Sequence, residues 1–87
     1  MKHMNDIELL GRLHQLRNHC DCANDLLTNG RRSGQDVTSA EAYAAQCASA
    51  FEVLFVESKG LPPGLLTAAI AAEVRAITRF AISFSLS

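Results

Sequence analysis

The chain contains no tryptophan, one tyrosine, four phenylalanines and two prolines. So few aromatics leave a core to be filled mainly by aliphatic side chains. The two prolines are adjacent, at Pro62 and Pro63, so nothing breaks a helix on either side of that link. No stretch alternates apolar and polar residues cleanly enough for a half-buried strand, and Val53 to Val56, the one candidate nucleus, sits inside a longer helical pattern. A run of about 18 uninterrupted apolar residues, as a membrane span requires, is also missing. Leu65 to Ile82 comes nearest, but Glu73, Arg75 and Arg79 interrupt it. The start, Met1-Lys2-His3-Met4, leads into mixed polar sequence rather than the apolar run of a secretory signal. Three cysteines, an odd count, then fit free thiols in a reducing cytoplasm.

Charge of one sign is scarce as well. Eight lysines and arginines face nine acidic residues, for a net charge of -1. The only basic doublet is Arg31–Arg32. A nucleic-acid surface gathers many cations on one face, and an anionic-membrane sensor does likewise; this chain is patterned for neither.

What remains is helix. Asn5 followed by Glu8 has capping-box spacing, and Leu9, Leu13, Leu16, Cys20, Ala23 and Leu27 recur in alternating steps of four and three. This predicts a first helix from Asp6 to about Thr28, stopped by Asn29–Gly30 and followed by a polar loop over 30–37. Thr38 with Glu41 suggests a second capping box, with Val37 stapled against Ala42. The helix it opens runs over about 39–58. On it Tyr43, Cys47, Ala50 and Leu54 form one stripe, with Ala44, Ala48, Phe51 and Phe55 beside it. Lys59–Gly60 and the stiff Leu61-Pro62-Pro63-Gly64 link separate it from a third helix over about 64–84. There Leu66, Ile70, Ile77 and Phe84 share a seam. Glu73 has no i+4 partner on its own helix, because that position is Ile77. The expected architecture is an all-α, three-helix, up-down-up bundle in a single domain.

Helix three carries apolar residues on more than one side, more than two neighbouring helices are expected to cover. That surplus predicts a homodimer, with Leu65, Ala69, Ala72, Ala76 and Phe80 at the self-contact. Arg31, Arg32 and Tyr43 join them as candidate contact residues for a second protein. The implied function is a small, cytoplasmic, non-enzymatic regulator, inhibitor or adaptor that masks a partner surface, with no cofactor. Two alternatives follow from other features. Helices two and three, joined by a short turn, allow a helix-turn-helix-like nucleic-acid binder. Cys20, Cys22, Cys47 and His19 could serve a thiol or metal sensor, although a Cys-x-Cys pair lacks the Cys-x₂-Cys spacing of structural zinc sites.

Overall fold

The computed structural model describes residues 5–58 and 64–86, the side chains of 55–58 and 86 excepted. Three helices fill it: α1 (Asp6–Ser33), α2 (Thr38–Ser58) and α3 (Thr67–Leu86). At about 1.5 Å per residue α1 is roughly 42 Å long, close to the 46 Å long dimension of the molecule.

α1 starts as its sequence requires. Asn5 Oδ1 accepts the Glu8 N–H at 2.8 Å, and Asp6 and Glu8 place negative charge at the helix N-terminus, where the dipole favours it. Its end differs from the expectation. The helix does not stop at Asn29–Gly30 but continues to Ser33, and Gly34 takes the left-handed conformation at φ 69°. The Gly34 N–H donates to the Arg31 carbonyl at 3.3 Å and the Gln35 N–H to the Gly30 carbonyl at 2.9 Å. These two bonds are a Schellman termination, which satisfies carbonyls that a helix end otherwise leaves open. Arg31 and Arg32 therefore belong to the last helical turn rather than to a loop. Their charges complement the C-terminal dipole there.

Gly30 has another role. It lies three residues beyond Leu27, so it continues the seam, and it is buried. A Cβ built on it would come within 2.5 Å of Val37 Cγ1. The glycine is required because Val37 packs across the top of α1. The connection between α1 and α2 is thereby cut to four residues, Gly34 to Val37.

α2 begins at Thr38 through a different cap from the one its sequence suggests. Asp36 Oδ1 accepts both the Thr38 N–H at 3.0 Å and the Thr38 hydroxyl at 2.6 Å. Hydrogen bonds from the Thr38 hydroxyl, then from its N–H, hold the exposed Asp36 carboxyl below its ordinary pKa. The Glu41 N–H goes to the Val37 carbonyl, so Asp36 takes the place of the expected Thr38–Glu41 box. Val37, expected to staple Ala42, packs with Ala23, Leu27 and Ala44. The buried line on α2 runs Ala44, Cys47 and Leu54, with Ala40 and Phe51 partly covered; Ala50 faces outward. The Lys59–Gly60 stop and Leu61-Pro62-Pro63 lie outside the described residues. α3 enters three residues later than expected, after a turn at 64–66 in which the Thr67 N–H reaches the Gly64 carbonyl.

Contacts set the topology. Between α1 and α2 they run in opposite directions: Leu27 clusters with Ala44, and His19 bonds Tyr43. Between α1 and α3 they advance together, from Asp6 beside Gly64, through Arg17 at Glu73, to Leu27 near Phe84. The result is up-down-up. Both shorter helices pack along α1, and they approach each other much less. The core is aliphatic. Leu9, Leu13, Cys20, Cys47, Leu54, Ile70 and Ile77 form its larger part, and Ala23, Leu27 and Ala44 the smaller. No helix among the described residues is long and apolar enough to cross a membrane.

Replacing Gly30 by Ala should lower stability by about 1–2 kcal/mol despite its better helix propensity, because the new methyl must displace Val37. Adding Val37→Ala should recover part of that loss. Urea unfolding of the two single variants and the double reads this; strict additivity would show that Gly30 and Val37 do not touch.

Candidate functional site

α3 is covered by its own chain more fully than its composition suggests. Ile70 and Ile77 are fully buried, and Leu66, Val74, Phe80 and Phe84 pack against the core. Of the five residues expected at a self-contact, Leu65 is entirely exposed, Ala69 and Ala72 are exposed, and Ala76 is half-buried. Phe80 bridges both core clusters and stacks on Phe84 with ring centroids 6.3 Å apart. The outward strip on α3 is therefore narrow, and the exposed aliphatics are spread over all three helices, as Ile7, Leu26, Val53 and Ile82, and the turn before α3, as Leu65.

Tyr43 is half-buried, and its hydroxyl lies 2.6 Å from His19 Nδ1. The two rings meet edge-on. Beside this pair a shallow, open groove of about 470 Å³ follows the seam between α1 and α2. It is lined by Arg12, Gln15, Leu16 and His19 from α1 and by Ala50, Val53 and Leu54 from α2. Arg31 and Arg32 are exposed at the far end of α1.

The thiols divide by environment. Cys20 and Cys47 are buried, and Cys22 is exposed. Burial, then the neighbouring Cys47, pushes the Cys20 thiol up to about 12. Burial raises Cys47 as well. Both stay protonated at neutral pH and behave as small apolar fillers, since only the thiolate is a strong nucleophile or metal ligand. Among the described residues no group of three or more His, Cys, Asp and Glu is placed to hold a metal ion.

One polar cluster escaped the reading of the sequence. Glu73 continues the four-three rhythm from Leu66 and Ile70 to Ile77, so it occupies a core-facing position on α3. Its side chain is 14% exposed. Glu73 Oε2 lies 2.8 Å from Arg17 Nε, and Oε1 lies 3.4 Å from His14 Nδ1. The Arg17 Nε and Glu73 Oε2 atoms are shut off from solvent, yet the N–H is not aimed for a well-formed hydrogen bond. The attraction is chiefly one of charge. It ties α3 to α1 at one level, since sliding α3 by a turn would leave a carboxylate among aliphatic side chains. The absence of an i+4 partner on α3 was the available signal for a partner on another helix.

No protein-family model matches the chain, and no curated protein or solved structure matches it significantly.

The thiols carry two expectations, and the Glu73 pair a third. In the native state at neutral pH, iodoacetamide should label Cys22 alone, with Cys20 and Cys47 reacting only on unfolding. The same burial makes stability fall as pH rises from 9.0, the ordinary thiol value, towards about 12, because the unfolded chain releases the Cys20 proton first. Peptide mass mapping and alkaline urea melts measure these; fast native labelling of Cys20 would contradict the burial. Glu73→Gln should cost about 1–2 kcal/mol by leaving Arg17 uncompensated, discounted because the pair is only partly buried. Arg17→Met with Glu73→Leu should restore most of it, and an unchanged urea midpoint for Glu73→Gln would show that the pair contributes nothing.

Proposed function

We propose that this chain is a small binding protein: a regulator, inhibitor or adaptor that acts by occupying a surface of another protein and that associates with a second copy of itself. The observation that carries the reading is the amount of aliphatic surface left outside a small bundle. Ile7, Leu26, Val53, Leu65 and Ile82 all stay more than half exposed. Single exposed apolar residues are ordinary, but five large ones among the described residues of so small a bundle, with α2 and α3 in limited contact, favour further association.

Steric masking needs no catalytic group, and the chemistry present suits that. The buried thiols are protonated, and His19 is engaged with Tyr43. The open residues Ala69 and Ala72 on α3, with Leu65 in the turn before it, supply a smooth apolar strip. The exposed Arg31 and Arg32 add a positive end, fitted to a partner with an apolar surface bordered by acidic residues. A nucleic-acid reading draws less support, because α3 offers only Arg75 and Arg79 as cations along its length.

The full chain immobilised on a resin should retain a stoichiometric protein from native extract. Leu65→Asp should abolish that retention while the helical circular-dichroism signal is kept. Retention indifferent to Leu65→Asp and to the Arg31→Glu/Arg32→Glu double variant would remove these surfaces from the reading, and no retained protein at all would count against it as a whole.

A further inference from the structure

Two reactive groups of the core, Cys20 and Cys47, have only a packing role in the reduced chain. Both are buried, in the same aliphatic cluster. The antiparallel register of α1 and α2 sets them opposite each other. From Val37 against Gly30, each turn forward on α2 is a turn back on α1. Ala44 meets Ala23 in this way, and the next turn brings Cys47 to Cys20. The thiols touch, with the Cys20 S–H donating to Cys47 Sγ.

The layers beside the pair keep the helices close. Ala23 and Ala44, one turn away, are fully buried, and Gly30 ends the seam with no side chain. Small residues let two helices pack at the short end of their usual separation. Facing Cα atoms then move towards the roughly 4.4–6.8 Å that a disulfide spans. Cys22 takes no part: it is exposed, and two residues on from Cys20 it points to a different side of α1. A covalent tie here would act on the element that most needs one. α2 makes limited contact with α3, so α1 provides most of its packing.

We propose that Cys20 and Cys47 are a site of reversible oxidation, at which hydrogen peroxide converts the touching thiols into a disulfide that clips α2 to α1. The hydrogen bond from Cys20 partly offsets the burial that raises Cys47, so Cys47 is the sulfur that ionises first. Its thiolate attacks one peroxide oxygen. The O–O bond breaks, Cys47 becomes a sulfenic acid, and the other oxygen takes up a proton and leaves as water. Cys20 sulfur then attacks the sulfenic sulfur. The S–O bond breaks, and the departing hydroxide takes the Cys20 proton to form a second water. The two thiols lose one electron pair, which reduces one peroxide. A peroxide suits the site because it is small enough to reach a buried pair, whereas a bulky disulfide oxidant reaches only the exposed Cys22. The product joins two distant points of the chain, which removes freedom from the unfolded state and stabilises the folded one.

The full chain carrying Cys22→Ser, which changes only an exposed position, tests this without side reactions at the third thiol. It is treated with hydrogen peroxide under native, mildly alkaline conditions until its intact mass stops changing. That mass should fall by one hydrogen from each thiol, with no gain of oxygen. Iodoacetamide in urea should then label neither cysteine, and both should react after reduction with dithiothreitol. The oxidised chain should melt at least about 10 °C higher than the reduced one. Cys47→Ala in the same background should show neither the bond nor the rise; should that variant not fold, the Cys22→Ser masses and melts still decide. Two thiols that remain open to alkylation overturn the proposal. So do a product that gains oxygen without closing a bond, a cross-linked dimer, and a disulfide that leaves the melting temperature unchanged or lower.

Discussion

Every other part of this bundle leans on the seam of α1. Leu9, Leu13, Leu16, Cys20, Ala23, Leu27 and Gly30 follow one another in steps of four and three, and α2 and α3 both settle against that line. The helix is long enough to reach nearly from end to end of the molecule, so it acts as a spine for two shorter partners. Because α2 and α3 share this one stripe, the surfaces that do not meet α1 are left to solvent. A small chain with a shared spine has little core to spare. The stability of each shorter helix then depends on how well it fits α1, since short helices seldom persist alone in water.

Two devices fix how that fit is made. At one end, Gly30 lets Val37 cross α1 closely, and the Schellman turn at Gly34 points the chain straight into α2. Midway along α3, Glu73 meets Arg17 and His14. Aliphatic seams alone tolerate sliding by a turn, because leucine against isoleucine is nearly as good as leucine against leucine. A carboxylate at a core-facing position tolerates it poorly. Size does one job and charge the other: the glycine sets a distance, and the glutamate sets a level.

The helices, their order and most of their buried stripes were legible along the chain. Capping at Asn5 and the seam from Leu9 to Leu27 depend on neighbours within a turn or two, and such local patterns survive into the fold. Errors arose where a residue answers to something distant in sequence. Gly30 looks like a helix stop, since local energetics favour a glycine there; Val37 across the turn makes it part of the helix instead. Tyr43 and Phe80 each turn one side to the core and stay partly exposed, a division that no single helix reveals. The groove between α1 and α2 left no trace in either helix read singly, because each contributes only half of it.

The sequence by itself determined that this chain is helical, where its first two helices begin to within a residue, and that its core is aliphatic. These follow from periodicity, propensity and capping, which act between residues a few positions apart. Only the tertiary structure decided which apolar residues remain outside, which helix Glu73 pairs with, and that Gly30 is packed while Gly11 stands open. Those outcomes depend on what a second element brings to the same point in space, so two glycines of one helix diverge when one acquires a neighbour and the other does not.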